Sequence, residues 1–272
     1  MFSIFRIQRC SKVCCIWSQV KHFSGKEKFY KEARICHSDG GFEINLDNRK
    51  LRTPNGNIVK LPTESLAQAV SVEWNNQNKV LKLDQMPLTT LCFSAVENKP
   101  TISAKTLVSS CFNYLHTDTI LCRINEPPEL EKFQSERWDP MVNWLMKRHS
   151  IQVTPSSGFA MPVISENAEP VLSRYLLSYN YWSIIGFERM VSSLKSLIVP
   201  LALVDREISV EEAVSLSRLE LEYQISKWGN IAWHHDIELA ESRMKTAAAV
   251  MFIQLCSEDS KTERYREALK SL

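Results

Sequence analysis

The chain has 272 residues, of which 44% are hydrophobic and 24% charged, and its net charge is +2. Those proportions belong to a globular chain with a real core, arranged as one large domain or two small ones. They exclude the global basic excess of a general nucleic-acid binder, and no apolar run approaches the ~20 residues of a membrane span.

Charge is nevertheless unevenly spread. No acidic residue precedes Glu27, whereas Arg6, Arg9, Lys12 and Lys21 are basic; without that segment 29 basic and 31 acidic residues remain. On a helix Arg6, Arg9 and Lys12 would form one basic stripe beside Phe2, Ile4, Phe5 and Val13, and serines recur at 3, 11, 18 and 24. A basic, serine-bearing, acid-free and amphipathic N-terminus has the composition of a mitochondrial transit peptide. A secretory signal needs an apolar core of roughly 7–15 residues, and the longest run here is VCCIW. Residues 1–25 are therefore expected to be a transit peptide, removed from a protein of the mitochondrial matrix.

Strand signals follow. KFYKEARIC (28–36) mixes aromatic and aliphatic residues, and GFEINL (41–46) alternates, with Phe42, Ile44 and Leu46 on one face. Asp47-Asn48 makes a two-residue hairpin connection, both types tolerating positive φ, so that Ile44 lies opposite Leu51. A two-residue loop at Asn55-Gly56 would set Leu51 against Lys60 and break the apolar face. A three-residue loop, Pro54-Asn55-Gly56, sets Leu51 against Val59 and keeps Leu61 inside, with Pro and Gly at the positions that turn requires. Core pattern and turn chemistry agree on a three-stranded meander. Lys50, Arg52 and Lys60 fall on its other face and read as solvated surface, since no glycine-rich phosphate fingerprint accompanies them.

After Pro62 the period changes to 3.6. Thr63 caps a helix, Glu64 lies in its first turn, and Leu66, Val70 and Trp74 form an i, i+4 ridge to lay on the sheet. Everything beyond residue 87 reads helical: 88–97, 101–116, a start or bend at Asp139-Pro140, 167–181, and the apolar stretch SIIGFERMVSSLKSLIVPLALV. Ser209 and Glu212 make a capping box for one helix running to Gly229, and a last helix spans about 233–256. The fold class is α+β: a small antiparallel sheet covered by a helix, then an all-helical C-terminal domain.

Chemistry is sparse. Of eight cysteines, Cys10, Cys14 and Cys15 lie in the presequence; Cys36, Cys92, Cys111, Cys122 and Cys256 are scattered, with no C-x-x-C. They fit neither a disulfide framework nor a zinc site. In WHHDIE (233–238), His234 and Glu238 are i, i+4 and could share a metal, as a metal-dependent hydrolase would need. The H-E-x-x-H arrangement is absent, and the segment reads as polar residues at a helix start. LHTD (115–118) lacks an accompanying nucleophile motif, and no nucleotide-binding loop is present. Of the tryptophans on helical faces (Trp74, Trp138, Trp144, Trp182 and Trp228), core packing is the default, while any that are partly exposed would suit a protein-binding surface.

LDNRKLRTP, the helix with EWNNQ, MPLTTLCFSAVEN, YLHTDTILCR, QSERWDPMVNW, LEYQISKWGN and HHDIELAESRMKTAA, in this order, resemble one family. It is the mitochondrial assembly chaperone for the alpha subunit of the soluble, catalytic sector of ATP synthase (assembly factor two). The match runs from about Phe29 to Cys256; Asn48 stands where the family usually has Gly, and Glu97 where Asp is more typical. The resemblance implies an α+β domain at 26–99, a helical domain at 100–272, no enzyme activity, and no cofactor, metal or nucleotide requirement. It implies a chaperone, monomeric when free, that binds no nucleic acid and does not insert into a membrane. Such a chaperone holds unassembled alpha subunit soluble until the beta subunit takes its place. The implied client-contact residues are Glu73, Trp74 and Gln77 on the first helix, with Glu220, Glu222, Trp228 and Asp236 near the C-terminus; Trp74 could equally be core. A general matrix scaffold without a single client is the other alternative.

Overall fold

The computed structural model describes residues 25–158 and 160–270, with side chains described as far as Ser257. The expected transit peptide, apart from Gly25, lies outside the described residues. The chain divides into two compact units, one ending at Asn98 and the other beginning at Lys99.

In the first unit β1 (Ala33–Ser38) and β2 (Gly41–Leu46) form an antiparallel hairpin, and β3 (Arg49–Lys50) pairs with β2 through Leu46–Arg49 and Asn45–Lys50. Of the Asp47-Asn48 pair, Asp47 takes positive φ (53°), and its carboxylate accepts the Lys31 and Glu32 N–H groups at 3.0 Å each. Thr53 N–H then donates to Asn57 at 2.8 Å and Val59 N–H to Leu51 at 3.0 Å. That is the register of a three-residue loop with Leu51 opposite Val59, and Gly56 has φ +88°. The simple meander does not continue. β4 (Lys60–Leu61) turns back to β2 and pairs with Phe42 and Glu43. β3 covers only the far end of β2, so the returning strand supplies partners for backbone groups that would otherwise be left unpaired.

The three cations of this region each find a local partner. Lys50 Nζ lies 2.6 Å from the Glu43 carboxylate, Arg52 donates to the Gly56 carbonyl at 2.7 Å, and Lys60 donates to the carbonyl of Asp39. A hollow of about 390 Å3 opens along Phe29, Leu46 and residues 49–52, and two of its cations, Lys50 and Arg52, are engaged by the partners just named.

Thr63 caps α1 (Glu64–Asn75) by accepting from Leu66 N–H. Leu66, Val70 and Trp74 are fully buried, as are Ile44 and Val59 on the sheet face beneath. The helix lies across β1, β2 and β4, and Tyr30 Oη donates to the Trp74 carbonyl at 2.6 Å. After a 3-10 turn, α2 (Pro87–Asn98) completes the unit.

The second unit is mostly helical: α3 (Ala104–Leu115), α4 (Pro128–His149), α5 (Ala168–Leu177), α6 (Tyr181–Leu194), α7 (Ile198–Val204), α8 (Val210–Ser217), α9 (Leu219–Trp228) and α10 (His234–Lys270). It is not wholly helical. β5 (Cys122–Arg123) pairs in parallel with residues 156–157, and β6 (Val153–Thr154) pairs antiparallel with residues 163–164. These two-residue ladders are too short to leave a periodic signal in sequence.

Two helix boundaries also differ from expectation. α4 begins at Pro128 after Pro127 and runs straight through Asp139-Pro140. An interior proline costs a helix about 3 kcal/mol; here Trp138, Met141, Val142 and Leu145, all buried, offset it. Trp138 Nε1 also donates to the Leu216 carbonyl at 3.0 Å. Further on, the single helix expected from Ser209 to Gly229 is broken at Arg218, between α8 and α9. Ser209 does cap the first piece, accepting from Glu212 N–H at 3.2 Å.

The centre of this unit is α6, packed against α3, α7 and α10. Gly186 lets α10 approach: a Cβ there would stand 2.7 Å from Ile253 Cγ1 and 3.3 Å from the Ala249 carbonyl. Gly186→Ala should therefore destabilise the protein even though alanine is the better helix former. Overpacking costs about 1–3 kcal/mol against a propensity gain of about 1. A melting temperature equal to or above wild type would show that the two helices have slack.

Candidate functional site

Glu73 and Trp74 on α1, and Gln77 just past its end, are committed to the fold. Glu73 accepts the Leu88 and Thr89 N–H groups at 2.8 and 2.7 Å and the Thr89 hydroxyl at 2.7 Å. It thereby caps the start of α2, and burial raises its carboxyl pKa despite those bonds. Trp74 is fully buried, and Gln77 is 7% exposed and accepts from Lys82 N–H at 2.9 Å. Of the two roles open to Trp74, its placement is the core one.

The residues near the C-terminus lie differently. Glu220 is half-buried and accepts from Gln134 Nε2 at 2.8 Å, and burial pushes its carboxyl pKa up. Arg218, the residue at the helix break, is buried and reaches Glu222 at 3.6 Å and Glu238 at 3.1 Å. It thus ties α9 to the start of α10. Glu238 is spent on that pair, and the His234 ring lies 5.4 Å from the His235 ring. Among the described residues no group of three or more His, Cys, Asp or Glu side chains is placed to hold a metal.

Between α9 and α10 the chain turns through Gly229 and Trp233, both at positive φ. Asp236 organises this turn, accepting from Trp233 N–H at 3.1 Å and from Asn230 Nδ2 at 3.2 Å. His235 Nδ1 lies 2.9 Å from Asn230 Oδ1 and 3.3 Å from Ile231 N, within reach of either as its tautomer dictates. What the turn displays is apolar: Trp228 is 80% exposed, Ile231 62%, Trp233 78% and Ile237 53%. An isolated exposed leucine means nothing, but two tryptophans and two isoleucines within residues 228–237, from the end of α9 through the turn into the first turn of α10, form a patch of the kind that marks a protein interface. Asp236 acts here as the scaffold of the display.

Of this patch the sequence singled out Trp228 alone. Trp233 and Ile231 were hidden because a turn has no periodicity from which to read an exposed face. No helix among the described residues is long and apolar enough to cross a membrane.

Residues 27–146 match the family model described as the ATP12 chaperone protein. Over 243 residues the chain is 30% identical to the mitochondrial protein atp12 of Schizosaccharomyces pombe, covering 85% of this chain and 83% of that one. It is 23% identical over 275 residues to the mitochondrial protein ATP12 of Saccharomyces cerevisiae, covering 84% of each. The crystal structure of Atp12 from Paracoccus denitrificans superposes with a TM-score of 0.77 at 27% identity, covering 85% of this chain and 98% of that one.

Proposed function

Because the chain belongs to the ATP12 family of chaperone proteins, we propose that it is an assembly chaperone of mitochondrial ATP synthase. It holds the unassembled alpha subunit of the soluble sector, without ATP hydrolysis of its own, and yields it to the beta subunit. Residues 1–25 direct it to the matrix. The observation that carries the reading is the aromatic patch at residues 228–237, displayed on a turn that Asp236 holds in one shape. A holdase shields an apolar surface that would otherwise aggregate, and it needs an apolar surface of its own to do so. Preorganising that surface lowers the ordering cost of binding.

Trp228→Ser with Trp233→Ser tests this. Both side chains are largely exposed, so melting should be unchanged, while each buried interface tryptophan is worth about 2 kcal/mol or more. Affinity for isolated alpha subunit should fall by roughly a hundredfold or more, and suppression of its aggregation should fail at stoichiometric ratios. Unchanged holding by the double variant would remove the patch from the mechanism. Mixing wild-type chain with alpha and beta subunits and sizing the products tests the handover. Competition for one surface predicts displacement by mass action, and a stable ternary complex would defeat it.

A further inference from the structure

Trp233 is an unfavourable residue for the place it occupies. It stands immediately before α10, and its carbonyl takes one of that helix's first bonds, from Ile237 N–H at 3.0 Å. Such a position favours Ser, Thr, Asp or Asn on an extended backbone, because their side-chain oxygen can hold the first free N–H groups. An indole offers no such oxygen, and the Trp233 backbone is left-handed, with φ +69°. Left-handed backbone suits Gly and Asn, whereas in a bulky residue it is strained. An asparagine is present three residues earlier, at Asn230, but its own φ is not positive. Nor does the core ask for the strain: residues 228–234 and 236–238 are all exposed.

What offsets the strain is side-chain bonding. Asp236 Oδ2 accepts from Trp233 N–H at 3.1 Å, and Asp236 Oδ1 accepts from Asn230 Nδ2 at 3.2 Å. With its nitrogen so engaged, Asn230 turns its oxygen to His235 Nδ1 at 2.9 Å, an arrangement that fits this ring nitrogen as the donor. Asp236 by itself fixes only the residue three before it. Asn230 reaches two consecutive residues in the first turn of α10 from the other end of the turn, and so ties the Trp228 end to the Trp233 end.

Resting on the client reading above, we infer that Asn230 is a positioning residue for client binding. It works through Asp236 to keep Trp233 in left-handed backbone, and so sets the direction of that indole relative to Trp228 before the client arrives. The strain at Trp233 serves recognition and not folding, and it persists because the bonds around it over-determine the backbone. An untied turn would relax to ordinary backbone and swing the indole away. The client would then have to restore the arrangement at the expense of affinity.

Exchanging the two polar partners reads this directly. Asn230→Asp sets a carboxylate against that of Asp236. Adding Asp236→Asn restores every bond with donor and acceptor reversed, at the net charge of the wild type. The amide at 236 donates to the carboxylate at 230, its oxygen still accepts Trp233 N–H, and the carboxylate still accepts from His235. Both variants are made in the full chain with the two tryptophans in place. Affinity for isolated alpha subunit should fall about tenfold in Asn230→Asp and return to within about twofold of wild type in the double variant. Hydrogen exchange of residues 231–237 in the free chain should quicken and slow again in step, while overall melting stays unchanged. A double variant no better than Asn230→Asp would overturn the inference, and so would lost affinity without a change in exchange. Trp233→Asn supplies the converse, since asparagine suits both left-handed backbone and a helix start. It should slow exchange in the first turn of α10 while client affinity falls about tenfold or more. Faster exchange there would show that the indole itself holds the turn, against the inference. Failure of the wild-type chain to bind alpha subunit would instead sink the client reading, and the inference with it.

Discussion

Trp74→Arg should leave little soluble protein. The indole is fully buried among Leu66, Val70 and the sheet residues Ile44, Leu51 and Val59. Replacing it with a guanidinium loses the aromatic area and buries a charge that has no carboxylate waiting for it. Aromatic truncation alone costs about 3–5 kcal/mol, and the unpaired charge adds to it. A domain has only about 5–15 kcal/mol to lose, so the first unit should unfold at physiological temperature. Trp74→Phe retains a large apolar ring and gives up only the indole N–H, for which no side chain or carbonyl among the described residues is an acceptor. It should cost far less. Thermal melts of both variants decide the matter: an arginine variant that melts like wild type yet fails to hold alpha subunit would make Trp74 a contact after all.

The second large effect is expected at Asp118. Its carboxylate is fully buried and accepts backbone N–H groups from Ile120 at 3.0 Å, Leu197 at 2.7 Å and Ile198 at 3.2 Å. It pins the segment after α3 to the start of α7. Asp118→Ala would strand three buried donors, each costing about 1–3 kcal/mol, for a total loss of several kcal/mol. Asp118→Asn keeps one acceptor oxygen and should fall between. Burial, set against those hydrogen bonds, leaves the Asp118 carboxyl pKa raised to about 6. Because the folded state holds this proton more tightly than an unfolded Asp near 3.9, the contribution of Asp118 to stability is largest at acid pH. It declines as pH rises from about 4 to about 6 and is flat above. The stability difference between wild type and Asp118→Asn, from denaturant melts, should therefore shrink across that window. A difference independent of pH from 4 to 7 would show that the group does not titrate there.

Where local chemistry and tertiary need coincide, the sequence was legible. Leu51 faces Val59 because the only loop that keeps both inside is also the one that wants Pro54 and Gly56. Thr63 and Ser209 cap helices because a short oxygen side chain before an amphipathic run has one favourable use. Legibility failed where a distant residue decides. Nothing in SVEEAVSLSRLELEYQISKW announces a break, since Arg218 is fixed by Glu238 on another helix. Pro140 reads as a helix start until the buried residues around it show that packing can carry an interior proline. At the turn between α9 and α10 the difficulty was of another kind: Ile231 and Trp233 lie outside any periodic element, so nothing in their spacing marks them as exposed.

The bonds from Asp118 to Leu197 and Ile198 span 79 and 80 residues, and that separation bears on the order in which the protein assembles itself. The sheet of the first unit closes through neighbouring segments, the slowest pairings being those of residues 25–28 with 79–81. Short loops close cheaply and such topologies form fast. The helical unit cannot lock α7 to the segment after α3 until residue 198 has arrived, and α6 waits longer still. Ser183 meets Ser257 across 74 residues, so the apolar face of α6 stays open until α10 is present. A chain emerging N-terminus first thus carries a finished sheet unit ahead of an unfinished helical one, whose apolar faces stay uncovered until its last helix arrives.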